Sequence, residues 1–452
     1  MEQRPGQEID WRPRFDNLTN MPPLQTSVRM GWLNLSDEEQ RRARACLRQF
    51  QTEGTLDELG FGIIRDAFAD VFFPATSTIM TRTRYLIFVA TTFMCIERER
   101  LSGEKAKRRL KILEDVLRSL LTRENADSES EKKERGVIGA SAKGDLQRYP
   151  SSIYWNALKR LGLFHRPKWG LTFYLDHLGD YYSATTPLKD DDGLAHLAAM
   201  VEPTWDPELG RLLPGSAGIS KELEFQPGVD FDLTRAEAIY LKEGFVAMAS
   251  ADGSSLIAHL LTQAKPVEFN FPWETKCPDL EVPIDHARAF SMFTKGATLQ
   301  YYELLVEAQR SKGTLTSELT FEEPFEKWWD LTRERLGNWD LDAFLVLVRG
   351  MCRLRPNDSV FLAAWLRLCR DAKSGKELLA DRQARELIRR RERTVRPVKY
   401  RLGQDKYLRQ WEAPESLDGR EFTEPDFIPY LLDYRSGIGR RFVGEIVTAL
   451  RK

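Results

Sequence analysis

The sequence predicts a mainly α protein, built of multi-helical, bundle-like domains with small β elements. Three observations predict it. Apolar residues recur three and four apart over most of the chain. Helix-start signals recur as well: Ser36 with Glu39 and Thr234 with Glu237 read as capping boxes, and Pro150 opens a run that Gly162 closes. Only Val267–Phe271, bounded by Pro266 and Pro272, looks like a strand.

The elements follow in order. Residues 1–29 are polar and Pro-rich and read as a flexible arm. Trp32–Gln51 carries an apolar face behind its capping box, and Ile63–Phe73 repeats Ile64, Ala67, Phe68, Val71 and Phe72 at helical spacing until Pro74 stops it. Ser77–Arg100 has a middle, YLIFVATTFMCI, that is apolar nearly all round, which predicts central burial. Gly103–Arg123 is a helix of mixed charge, and the acidic and basic run 124–136 reads as an exposed loop. A helix follows from Pro150 to Leu161. The stretch 166–233 is rich in Gly, Pro and Asp and poorly periodic. Helices then run from Thr234 to about Met248, Ser254–Gln263, Ile284–Gln309, Ser359–Asp371, Lys376–Val395 and Phe427–Leu450, with an aromatic helical section around Trp328, Trp329 and Trp339. The expected organisation is an arm (1–29), an N-terminal helical domain (30–123), a loop and linker (124–149), a central helical domain (150–350) with an irregular insert (166–233), and a C-terminal helical domain (351–452) carrying a basic helix.

The 452 residues hold 67 Lys and Arg against 68 Asp and Glu, a net charge of -1. That balance excludes a histone-like chain, a polyacidic chaperone and a wholly disordered protein, but not a local basic stripe. The five cysteines form no Cys-x-x-Cys pair and are odd in number, which argues against a zinc ribbon or a disulfide framework. The N-terminus has no signal-peptide core. The most apolar run, the 12 residues Tyr85–Ile96, falls short of the roughly 20 that span a bilayer. A cytoplasmic protein without membrane contact is expected.

The familiar chemical motifs are absent. The only Gly-Lys, Gly375-Lys376, lacks a phosphate loop around it, and Gly60-x-Gly62 completes no dinucleotide fingerprint. No two histidines stand four apart, so no helical zinc pair is written, and no cofactor is implied. Two weak catalytic patterns remain. Arg160 and His165 have the spacing of a helical ribonuclease pair, though Gly162 lies between them. Glu274 and Lys276 follow the strand-like run as half of a magnesium nuclease site would, where carboxylates hold the metal and the lysine helps activate water. The bland reading of Glu274 is a capped surface turn.

The strongest signal is basic. Lys376 to Arg409 contains 12 basic and five acidic residues, an excess of +7. Arg382, Arg385, Arg389, Arg393 and Arg396 fall three or four apart on one helix face, with Arg390 and Lys399 beside them. Such a stripe can neutralise phosphates, and Tyr400, Tyr407 and Trp411 could stack on bases. The same run also fits a solvated helix paired to acids such as Glu386 and Glu392. A second cluster, Arg82 and Arg84 with Arg65, lies among hydroxyls before the apolar helix. It suits a phosphate site, or internal pairing with Asp57, Glu58, Asp66 or Asp70.

Long, ordered segments carry a resemblance: GWLNLSDEEQRR (31–42), GTLDELGFGIIRDAFADVFFPATSTIMTRTRYLIFV (54–89), GVIGASAKGDLQRYPSSIYWNALKRLGL (136–163), FPWE (271–274), DHARAFSMFTKGATLQYYELLVEA (285–308) and LDYR (432–435). The chain resembles a bacterial domain-of-unknown-function family, DUF6361, whose members stand near helicases in anti-phage defence islands. The resemblance implies a role around foreign DNA, with DNA and a helicase or other defence protein as partners, and carries no established chemistry. The chain departs from the family pattern at Ala75, where glycine is expected, at VATTF, where the pattern turns to proline and tryptophan, and at Ser436, where an aromatic is expected. The reading that follows is a non-enzymatic defence component that binds DNA or docks on a helicase or nuclease. A divergent nuclease and a purely structural scaffold are the alternatives.

Overall fold

The computed structural model describes residues 57–123, 136–140, 142, 146–185, 202–214, 216–263, 267–314, 320–411 and 431–452. The arm at 1–29, the helix and capping box at Trp32–Gln51, and the charged run 124–135 lie outside the described residues.

The fold is predominantly α. Helices α1 (Gly62–Phe72), α2 (Tyr85–Arg98) and α3 (Gly103–Arg123) come first, then α4 (Pro150–Arg160), α5 (Leu171–Thr185), α6 (Pro207–Leu212), α7 (Arg235–Asp252) and α8 (Leu256–Thr262). Two short 3-10 turns, Pro272–Glu274 and Pro278–Leu280, lead into the long α9 (Glu281–Ser311). Then follow α10 (Glu322–Asn338), α11 (Leu341–Met351), α12 (Asp358–Asp371), α13 (Gly375–Ala380), α14 (Arg382–Val395), α15 (Asp405–Leu408) and α16 (Ser436–Arg451).

The expected small β elements do not form among the described residues. Pairing is limited to two isolated antiparallel bridges, Phe164 with Trp205 and Ile219 with Phe225. Val267–Phe271 forms no strand: 267–269 carries no regular structure, the chain bends at Asn270 and Phe271, and Pro272 opens a 3-10 helix. The insert 166–233 is less irregular than its composition suggests. It contains α5, whose Tyr174, Leu175, Leu178 and Tyr182 are buried, a stripe that Gly170 and Gly179 obscure in the sequence.

Burial follows the apolar pattern. In α2 everything from Tyr85 to Ile96 except Met94 is buried. The two threonines of VATTF are accommodated because Thr91 and Thr92 donate to the carbonyls of Ile87 and Phe88, at 2.8 and 2.9 Å. The helix begins only at Tyr85, so 77–84 is a connecting segment rather than helix. Helix α9 runs through the middle of the fold and packs on α10 and α14. Trp328 of α10 lies directly over Gly296, and its indole donates to the Met292 carbonyl at 2.8 Å. Phe325, Trp328, Trp329 and Trp339 are all buried, so this aromatic section is core. One contiguous core extends from Leu59 to Ala449. The described residues fall within one compact unit, Glu53–Lys452.

Segments distant in sequence meet at Tyr434. Its ring packs on Phe68, Phe72 and Trp273, and its hydroxyl donates to the Ala287 carbonyl at 2.6 Å. Tyr434 and Arg435 take left-handed backbone angles in succession, φ 52° and 66°, a conformation costing about 1–2 kcal/mol for a residue with a side chain. The buried ring and the Arg435 ion pair to Asp70, at 2.6 Å, hold it. Ala75 and Ser436 each occupy an unusual setting. Ala75 sits at φ 61°, the region glycine enters freely. Ser436 is fully buried with its hydroxyl unpaired.

Candidate functional site

The basic segment forms two helices, α13 and α14, rather than the single helix expected over Lys376–Val395. Asp381 interrupts it, and its carboxylate accepts the Ala384 N–H at 2.7 Å as the N-cap of α14. One side of α14 is core: Ala384, Ile388, Arg391 and Glu392 are buried. Glu392 accepts the Tyr301 hydroxyl at 2.6 Å, the Arg401 N–H at 2.6 Å and the Leu402 N–H at 3.1 Å. Burial and the adjacent Glu392 carboxylate push the Tyr301 phenol upward. The two backbone bonds fold residues 396–403 back along α14.

This return creates a cleft of about 440 Å³, lined by Glu386, Arg389, Arg390, Arg393, Tyr400, Leu402 and Gly403. Arg389, Arg390 and Arg393 are exposed. The Arg393 guanidinium stands 5.7 Å from the centre of the Tyr400 ring. That ring lies where a side chain on Gly403 would be, so the absence of a Cβ at 403 allows the return to close. Three guanidinium groups against one carboxylate, with an aromatic ring at the side, suit a polyanion better than any neutral ligand.

The expected stripe is redistributed. Arg382 and Lys399 are exposed as anticipated. Arg385 instead forms an ion pair with Glu307 and lines a different, acidic groove with Glu303 and Glu322. Arg396 is turned toward Glu58, at 3.9 Å. Arg391, absent from the expected stripe, is internal. It pairs with Asp358 at 2.7 Å, donates to the Leu59 carbonyl at 2.7 Å, and lies over Phe361. Burial lowers the proton affinity of its guanidinium, with Asp358 opposing. Arg401 likewise meets Glu58 in the interior. Of the three aromatics proposed to stack, Tyr400 alone lines the cleft. Trp411 is buried against Tyr302, and Tyr407 lies beside Lys406.

Arg82 and Arg84 are held by acids and form no phosphate site. Arg84 is fully buried and pairs with Asp230 at 2.9 Å and Glu237 at 3.1 Å, while donating to the Ala217 carbonyl at 2.8 Å. A guanidinium so enclosed cannot reach a nucleic acid. Arg82 pairs with Glu445 at 2.5 Å and lies over Phe231. Internal pairing prevails: Arg65 meets the adjacent Asp66 at 3.1 Å, one of the nearby acids expected, whereas Arg82 and Arg84 pair with acids 146 to 363 residues away. Neither arginine lines the cleft at α14.

The weak catalytic pairs are placed apart from any assembled site. Helix α4 ends at Arg160, Gly162 adopts φ 76°, and the exposed His165 bonds through its backbone N–H to Thr204 at 2.8 Å. The two residues therefore share no helix face. Glu274 is exposed and accepts the Asn270 N–H at 2.7 Å, which is the capped turn, with Lys276 exposed beyond it. Among the described residues no three His, Cys, Asp or Glu side chains cluster as a metal site would. Among them, too, no helix is long and apolar enough to cross a membrane.

Sequence reasoning missed the roles of Leu402 and Gly403, which become visible only when Glu392 folds the chain back. Their one sequence signal is the punctuation by Pro397 and Gly403 just after the helix.

No curated protein and no solved structure matches the chain. A family model matches residues 27–199 and 219–450, nearly the whole length, including both the junction at Tyr434 and the cleft at α14. The chain belongs to the family of unknown function DUF6361.

Proposed function

We propose that this protein is a nucleic-acid-binding component of a prokaryotic anti-phage defence system, working in the cytoplasm beside a helicase or nuclease, with the cleft at α14 as its contact surface. The observation that carries the binding is the convergence of Arg389, Arg390 and Arg393 on one open cleft while neighbouring arginines are neutralised by acids. Guanidinium groups bind phosphate oxygens through paired, directional hydrogen bonds, and their release of counterions makes binding favourable and salt-sensitive. The defence setting and the helicase partner come from the family resemblance. The role proposed is recognition, with bond cleavage left to the partner.

The test is a binding titration of the full chain with labelled DNA, repeated for the variant carrying Arg389→Glu, Arg390→Glu and Arg393→Glu. Loss of binding with an unchanged melting temperature supports the reading. Unchanged affinity refutes it.

A further inference from the structure

Resting on that reading, we infer that the cleft takes single-stranded nucleic acid, with one base stacked on the Arg393 and Tyr400 pair and the flanking phosphates held by Arg389 and Arg390.

Three features point this way. The first is a planar pair. The Arg393 guanidinium stands 5.7 Å from the centre of the Tyr400 ring, within cation–π range, so two flat groups stand together at the wall of the cleft. Guanidinium and phenol faces both stack on bases without regard to sequence.

The second is charge. A protein that tracks a duplex needs a long stripe of free cations. Here Arg385 and Arg396, which would extend the stripe, are turned to Glu307 and Glu58. What lines the cleft is concentrated within about one helical turn, Arg389 to Arg393, some 6 Å along the axis, with Arg382 and Lys399 exposed but outside it.

The third is shape. The aromatic ring lies within a concave pocket of about 440 Å³ rather than on an outward ridge. A duplex keeps its base faces stacked inside and offers only edges in its grooves. A single strand can turn a base out into such a pocket.

The experiment uses the full chain and three labelled probes: an oligothymidylate strand, the duplex it forms with oligodeoxyadenylate, and an oligouridylate strand. Either single strand binding more tightly than the duplex supports the inference, and the better of the two identifies DNA or RNA as the natural ligand. Tyr400→Ala is expected to weaken single-strand binding about tenfold and leave duplex binding unchanged, whereas Tyr400→Phe retains the wild-type value. Duplex binding as tight as single-strand binding, or equal weakening of both by Tyr400→Ala, overturns the inference. If the triple glutamate variant abolishes binding while Tyr400→Ala does not weaken it, the cleft is the phosphate site and only base stacking is wrong. If neither variant alters binding, or no probe binds, the functional reading fails as well. Melting temperatures of the variants separate weakened binding from loss of fold.

Discussion

The salt dependence of binding gives the sharpest test of the cleft. Replacing Arg389, Arg390 and Arg393 together by alanine removes three exposed guanidinium groups and leaves Arg382 and Lys399 in place. On a single strand each neutralised phosphate contributes about 0.7 to the slope of log affinity against log salt. With three phosphates no longer neutralised, the slope should flatten by about 2. Over a rise from about 50 to about 200 mM salt, the wild-type protein should lose about fifteenfold more affinity than the variant. Fluorescence anisotropy with a labelled oligothymidylate, titrated at several salt concentrations, reads both slopes directly. A control removes the same charge elsewhere through Lys105→Ala, Arg108→Ala and Lys168→Ala, all exposed and outside the cleft. If the cleft variant keeps the wild-type slope, or the control flattens it equally, the attraction is diffuse and the reasoning from the cleft is refuted.

The neighbours Arg390 and Arg391 should behave oppositely. Arg391→Ala removes the buried ion-pair partner of Asp358, which keeps only the partly exposed Arg355 at 3.4 Å, and should cost about 3 kcal/mol of stability, whereas Arg390→Ala should leave thermal unfolding unchanged and weaken binding. Ser436→Ala should raise stability by about 1 kcal/mol in denaturant titration, because it removes a buried hydroxyl that has no partner; a loss of stability would contradict that. Burial pushes the Glu114 carboxyl up to about 8, against bonds from the Ser151 backbone and hydroxyl. The folded state thus holds a proton that the unfolded chain releases near pH 4.5, so stability from this group is greatest below that pH and falls as pH rises toward 8. Glu114→Gln should remove this part of the decline, and denaturant titrations of both proteins at acidic and mildly alkaline pH would show it.

Much of the helical framework was legible because it rests on local rules. The Thr234 and Glu237 capping box forms as written, with bonds of 3.2 and 2.7 Å. The all-round apolar middle of α2 is buried as its pattern requires. Where local rules failed, a specific contact decided. Lys376–Val395 keeps a helical pattern throughout, yet Asp381 caps its own chain and divides it. The run at 267–271 has strand residues but no partner strand among the described residues, and without a ladder the chain bends into the 3-10 helix at Pro272. In the insert, glycines at 170 and 179 hid the stripe of α5 from a reading based on composition.

For the site, the sequence by itself determined that positive charge is concentrated in one C-terminal segment, since charge is a property of residue type and needs no fold. It could not determine which arginines remain free. That depends on acids far away in the chain: Glu58 draws Arg396 and Arg401, Glu307 draws Arg385, Asp358 draws Arg391, and Asp230 and Glu237 enclose Arg84. Helical periodicity assigns a face, but only packing says whether that face meets solvent or a buried carboxylate. The tertiary structure therefore decided the site by subtraction, and by the single buried Glu392 that folds Tyr400 back onto the arginines left exposed.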